Sequence, residues 1–204
     1  MFTENQQKIL KYTERKVKDL LKNHPVPAHG IGHVLRVTAW AEQIAKMEKE
    51  DIFLVKMAAI LHDVGRTKEK SSGMQSAHWA LSYEMCKDWF VTDPVLKFLS
   101  KKDKDIILYA VRYHWNDAAN RHPAAWILRD ADKMDGLGTI SIKRAKEFYG
   151  NDEFSWQIGM RLIFSNICFI RTKSARKLIK KYKMMEPVEK AYKKFLCSKL
   201  EKKF

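Results

Sequence analysis

Apolar residues recur every three or four positions through almost the whole of this chain, and alternating runs of the β type are few, so the pattern predicts an all-α protein. The first predicted helix covers about residues 3 to 22: Thr3 with Gln6 three residues on reads as a capping box, and Asn23-His24-Pro25-Val26-Pro27 stops it. After Gly30 a second helix runs to about Met47 on Ile31, Val34, Val37, Ala41 and Ile44. A third starts at Asp51, a good N-cap, and runs on Phe53, Met57, Ile60 and Leu61 to end at His62-Asp63, where Gly65 gives the chain freedom to turn.

Thr67 to Gln75 is polar and reads as a loop, beside the His62-Asp63 end, that could serve as a lid. Helices follow at about 76 to 90, 103 to 115 and 122 to 134, with Asp93-Pro94 and His122-Pro123 as punctuation where proline suits a first helical turn. Beyond Gly136-Leu137-Gly138 a helix of about 139 to 149 ends at Gly150-Asn151-Asp152, and two or three more fill 153 to 204, broken near Glu186-Pro187.

With 204 residues, 46% of them hydrophobic, the chain can bury one sizeable core, and its length asks for no second domain. No stretch approaches the roughly 20 apolar residues that a membrane span needs, and the start, Met-Phe-Thr-Glu-Asn-Gln-Gln-Lys, lacks the order of a secretory signal. A cytoplasmic protein without membrane partners is expected. Cys86, Cys168 and Cys197 form no Cys-x-x-Cys pair and sit in amphipathic stretches, which predicts buried or partly buried free thiols.

The net charge of +15 creates a field that attracts phosphorylated substrates or nucleic acid. Much of it lies in the last third, where Lys180, Lys181 and Lys183 and their neighbours interleave with Leu178, Ile179 and Val188 at helical spacing. Such interleaving is what the solvated face of an amphipathic helix looks like, and that reading outweighs a dedicated nucleic-acid surface.

Candidate chemistry begins with His62-Asp63, two metal-competent side chains at the end of an apolar helix. An isolated His-Asp pair is usually a helix end with a solvated carboxylate; the surrounding residues change its weight. His33 sits on the buried stripe of its helix, where an unpartnered imidazole is costly. In Asp130-Ala-Asp132-Lys-Met-Asp135, three carboxylates crowd beside the apolar run Ala124 to Leu128, an arrangement a cation would relieve. Asp130 and Asp132 lie about 200° apart on a helix, so one can be a ligand while the other caps or orients a neighbour. Imidazole and carboxylate together suit a divalent cation such as Mn, Co, Ni, Fe, Mg or Zn.

His33, then Leu61-His62-Asp63-Val64-Gly65-Arg66, then Asp130-Ala-Asp132-Lys133-Met-Asp135 resembles the HD-domain superfamily of metal-dependent phosphohydrolases, whose ligands run His, His-Asp, Asp. The segments 28 to 37, 129 to 144 and 171 to 176 are similar to small bacterial-type HD hydrolases, of which at least one kind cleaves nucleoside triphosphates to monophosphate and pyrophosphate. Gly30-Ile31 after His29 departs from the Asp and aromatic common in that branch. The resemblance implies an all-helical bundle with a central metal, occupying 1 to 204 with a metal-binding core of about 28 to 135 and C-terminal helices packed on it. It implies His33, His62, Asp63 and Asp132 as ligands, favours Asp132 over Asp130, and implies that Lys133 contacts substrate phosphate.

His78 and His114 fall between the His-Asp pair and the last Asp, where two-metal HD enzymes carry further histidines. They are candidates for that second site, for phosphate contact, or for protonating a leaving group. His29 falls either beside the site or on the surface. Asp63 or Asp130 could orient the attacking water, and Lys133 and Arg66 are the cations best placed by sequence, with Arg36 and Arg112 weaker. The expected function is hydrolysis of a small phosphorylated substrate, a nucleotide, by metal-activated water. The alternatives are a two-metal phosphodiesterase and a non-catalytic nucleic-acid or nucleotide-binding protein that uses its basic C-terminal helices. Oligomerisation through helical surfaces leaves no signal of its own in the sequence.

Overall fold

The computed structural model describes residues 2–69, 77–149 and 153–200, with the side chains at 145–149, 153–156, 195–196 and 198–200 left out. All regular structure among them is helical. Residues 70–75 of the expected lid, the expected stop at Gly150-Asn151-Asp152 and the last four residues lie outside the described residues.

Helix α1 (Glu4–Asn23) starts where expected, because Thr3 accepts the backbone N–H of Gln6 and the Gln6 side chain accepts that of Thr3. Then come α2 (Ile31–Glu48) and α3 (Ile52–Leu61), the latter capped by Asp51, which accepts from Leu54 N at 3.0 Å. A 3₁₀ turn (Val64–Lys68) leads towards α4 (His78–Thr92), followed by α5 (Lys101–Tyr113) and α6 (Pro123–Asp135). The chain continues through α7 (Thr139–Tyr149), α8 (Glu153–Cys168), α9 (Lys173–Lys181) and α10 (Glu186–Leu200). No described helix is long and apolar enough to cross a membrane.

Every residue of α3 from Phe53 to Leu61 is buried except Lys56. A helix that is apolar all round has to lie at the centre, and α1, α2, α5 and α6 all pack against α3. The central helix therefore delivers the residue that caps its C-terminus, His62, and the next, Asp63, into the interior, where they are 0% and 2% exposed. The turn after them is held against α4 by the Gly65 N–H, which donates to Ser82 Oγ at 2.9 Å. On α9, Ser174, Ala175 and Leu178 are buried while Lys173, Arg176, Lys177, Lys180 and Lys181 are exposed, which is the solvated face expected from the sequence. Cys86 is buried, whereas Cys168 and Cys197 are exposed.

After α4 the buried Asp93 carboxylate ties the chain down. It accepts the N–H groups of Val95 and Leu96 at 2.9 Å, the Tyr12 hydroxyl at 2.9 Å and the Lys16 ammonium at 3.0 Å. Burial raises its pKa, but the backbone donors, Lys16 and Tyr12 outweigh burial and hold the carboxyl below its ordinary range. Asp93→Ala is expected to cost about 2 to 4 kcal/mol in urea unfolding at pH 7. The folded pKa lies below the unfolded value of about 3.9. The charge-dependent part of that loss is therefore complete above the unfolded value and fades as pH falls through the folded one. The gap between wild type and variant should narrow below about pH 4; a gap independent of pH would mean that Asp93 acts by shape alone.

Candidate metal centre

His33, in the first turn of α2, is 2% exposed and its Nδ1 lies 2.7 Å from Asp135 Oδ2. Burial raises the Asp135 pKa, but the bonds from His33 and Arg36 and the charge of Arg144 hold it far below the usual carboxylate range, so this carboxylate accepts and Nδ1–H donates. His62 donates its Nδ1–H to Ala59 O at 2.7 Å, since a carbonyl can only accept. Both bonds turn Nε2 of each ring towards the same point, and the two Nε2 atoms stand 3.2 Å apart. Two neutral imidazoles in that arrangement oppose lone pair to lone pair, so the contact calls for positive charge between them.

Two carboxylates surround the same point. Asp63 Oδ2 lies 3.5 Å from His33 Nε2 and 3.6 Å from His62 Nε2, and Asp132 Oδ1 lies 3.4 Å from His33 Nε2. The ligand atoms of His33, His62 and Asp132 all fall within 4.8 Å of one another. Burial lowers the His33 pKa, but the bonds to Asp135 and Asp63 and the charge of Asp132 raise it overall. The carboxylates that favour a proton on His33 equally favour a cation at the same point, so the two compete there. Asp63 Oδ1 is buried without a hydrogen-bond partner. Facing nitrogens, flanking carboxylates and an orphaned carboxylate oxygen fit a divalent ion with imidazole and oxygen ligands.

A second cluster adjoins the first. His78 Nε2 lies 3.2 Å from His114 Nε2 and 3.6 Å from Asp63 Oδ1, and His114 Nδ1–H donates to Val111 O at 2.8 Å. The four imidazoles form a file, His33, His62, His114, His78, with neighbouring ring centroids 5.2 Å apart and the Asp63 carboxylate spanning both ends. Burial, with Arg66 and His114 nearby, pushes the His78 pKa down to about 3; burial, with His62 nearby, pushes His114 to about 4. Both shifts favour the neutral ring, the form in which an imidazole binds a cation. Arg66 donates from Nε to Asp63 Oδ2 at 2.7 Å and brings Nη2 to 3.3 Å from His78 Nε2, so a guanidinium already serves this second group.

The surrounding residues are arranged less as the sequence suggests. Asp130 does not reach the site: its buried carboxylate accepts the N–H of Arg171 at 3.0 Å and of Thr172 at 2.7 Å, tying the start of α9 to α6. That corrects its expected role in orienting water, and the reason is helical geometry, which turns it about 200° from Asp132. Arg36 is bound to Asp135 through Nε at 2.6 Å and Nη2 at 3.1 Å. Arg112 stacks over Tyr83 at 5.8 Å. Lys133 lies on the same helix as Asp132, paired with Asp117 and 5.1 Å from the Phe169 ring centroid.

His29 is brought inward, its ring centroid 5.1 Å from that of His33. Two residues to which the sequence assigns no role of their own complete the surroundings. Asp135 orients His33, although its spacing of three from Asp132 does put both on one face of α6. Arg144, on α7, donates to Asp135 and, at 2.7 Å, to Ala28 O, pinning a loop in which Ala28 has φ of 62°. A cavity of about 300 Å³ opens beside Asp132, lined also by His29, Arg66, Lys133, Arg144 and Trp115.

The HD domain family model matches residues 30–137. The chain is similar to mimivirus protein L803 (Acanthamoeba polyphaga mimivirus), 27% identical over 157 residues that cover 67% of this chain and 59% of that protein. It is also similar to YpgQ of Bacillus subtilis, 28% identical over 129 residues covering 60% of this chain and 58% of YpgQ. The chain thus spans about three fifths of the length of these curated relatives. Among solved structures, B. subtilis YpgQ in complex with ADP superposes with a TM-score of 0.69 at 21% identity, covering 98% of this chain and 97% of that one. An HD-superfamily hydrolase from Bacillus thuringiensis superposes with a TM-score of 0.69 at 19% identity, covering 94% and 96%. At such identity the superpositions show a shared fold.

Proposed function

The chain belongs to the HD domain family, and we propose that it hydrolyses a small phosphorylated substrate, a nucleotide, with a divalent ion held by His33, His62, Asp63 and Asp132. The observation that carries this reading is the 3.2 Å approach of two imidazole nitrogens whose other nitrogens are committed as donors, among carboxylates and beside a cavity lined by Arg66, Lys133 and Arg144. When bound, a divalent ion supplies Lewis-acid polarisation of a phosphoryl oxygen and brings the pKa of a water towards about 7. Arg66, Lys133 and Arg144 offer N–H groups to the charge that builds on the phosphoryl oxygens. Asp63 Oδ1 can hold the attacking water by accepting its hydrogen. Asp135 fixes His33 so that Nε2 stays aimed inward, a support that metal sites depend on. The YpgQ structure with ADP supports a nucleotide as the substrate class.

The test is a panel of nucleotides and phosphate esters offered to protein loaded with manganese or cobalt, with phosphate and pyrophosphate both measured. Metal-dependent turnover of at least one nucleotide, lost on chelation, is expected. If the protein as purified carries no cation and none can be loaded by dialysis, the proposal fails. A second reading, a two-metal phosphodiesterase, is favoured by the Asp63, His78 and His114 cluster, whose ligand atoms lie within 4.8 Å of one another. It predicts two ions per chain, falling to one in His78→Ala, whereas the single-ion reading predicts one in both.

A further inference from the structure

Resting on the nucleotide reading above, we infer that Trp115 and the apolar rim beside it form the subsite for the nucleotide's base, while the cationic floor of the cavity takes the phosphates. The cavity is lined by charged and by apolar side chains: Arg66, Arg129, Lys133 and Arg144 with Asp132, and also Trp115, Leu162 and Ile163. Three large apolar side chains remain in solvent around it: Trp115 at 49%, Leu162 at 43% and Phe169, beneath the Lys133 ammonium, at 52%. A purely anionic ligand leaves that rim bare, and a purely apolar one meets the charged floor. A flat ring joined to an anionic tail matches both.

The ring of Trp115 is held in place before any ligand arrives. It stacks on Trp79 with centroids 4.7 Å apart and planes 33° apart, and it still lines the cavity. The sequence explains how the platform comes to sit beside the ion site. Each histidine of the second cluster is followed directly by tryptophan, His78-Trp79 and His114-Trp115. The imidazoles meet inside and the indoles meet outside. A ring already oriented by its neighbour loses little freedom on stacking against a base. The Asn166 side chain lines the same cavity and carries both donor and acceptor for the edge of such a ring.

Trp115→Ala and Trp115→Phe are to be compared with the wild type, all metal-loaded, by calorimetric binding of two ligands that resist hydrolysis. One is a nucleoside triphosphate with methylene groups in place of its bridging oxygens, and the other is methylenediphosphonate. The alanine variant should bind the nucleotide analogue about tenfold more weakly, the phenylalanine variant should recover most of that, and diphosphonate binding should stay unchanged. An equal loss for both ligands, or none for the nucleotide, overturns the subsite. Trp115-dependent nucleotide binding without turnover of any substrate leaves the subsite standing and removes the hydrolase reading. Turnover of inorganic tripolyphosphate as efficient as that of every nucleotide removes the subsite and leaves the hydrolase.

Discussion

Asp63→Ala is expected to lower nucleotide turnover by at least about a thousandfold, which corresponds to losing roughly 4 kcal/mol of transition-state stabilisation. No other side chain at the site does as much. Its Oδ2 faces both His33 and His62, its Oδ1 is the orphaned oxygen turned towards His78, and it anchors Arg66 at 2.7 Å. Burial opposes its ionisation, yet Arg66, His62 and the bond from His33 hold its pKa well below the ordinary value, so it is the standing negative charge between both clusters. Removing it takes a ligand from the ion and takes from Arg66 the carboxylate that its Nε–H donates to at 2.7 Å. Elemental analysis should therefore show the bound cation lost along with turnover, and a melting curve on the same sample separates this from unfolding. A variant that keeps a tenth of wild-type turnover, or its full complement of ion, sinks the assignment.

Gly65→Ala should destabilise the fold by about 3 kcal/mol or more, a fall in Tm of roughly 6 to 12 °C for a chain of this size. A Cβ placed there would stand 2.2 Å from Ser82 N, 2.6 Å from His78 O and 2.6 Å from the Leu81 carbonyl carbon. All three are backbone atoms of α4, and no side-chain rotation can relieve them. The glycine is needed for close approach and not for a left-handed turn, since Gly138 is the one glycine with positive φ among the described residues. Relief requires α4 to back away from the 3₁₀ turn, which pulls His78 from Arg66 and stretches the bond from Gly65 N to Ser82 Oγ. Differential scanning calorimetry tests this directly, and a variant melting within about 1 °C of wild type would contradict it.

Helix placement follows closely from local chemistry. Thr3, Asp51 and Ser100 each cap a helix through their own side chains, and Pro123 opens α6, so sequence signals of a few residues suffice to start those elements. The 3₁₀ turn at Val64–Lys68 is less visible, because the reason for Gly65 lies in Ser82 and Leu81, some seventeen residues away. The same difference divides the site. His33, His62, Asp63 and Asp132 announce themselves through residue type, spacing and family resemblance. Asp135 is visible only as a further carboxylate on the face of Asp132, Arg144 and Asn166 carry no local signal, and the Trp79 and Trp115 stack shows only as a tryptophan after each of two histidines. Arg36, a weaker candidate for the phosphate by sequence, is committed to Asp135 in the fold.

Periodicity, capping and the order of His, His-Asp and Asp are properties of neighbouring residues on single helices, and they suffice for an all-α chain with a candidate metal set. Whether those ligands meet depends on helix packing, which the chain's local pattern does not contain. The burial of α3 on all sides drives His62 and Asp63 inward, and the approach of α2 and α6 sets His33 and Asp132 across from them. Rotation about α6 alone separates Asp132, facing the cavity, from Asp130, bound to the start of α9. The pairing of opposed imidazole nitrogens, and the placing of an aromatic platform beside cations, arise only where distant helices cross, because side chains are oriented by the neighbours that packing brings to them.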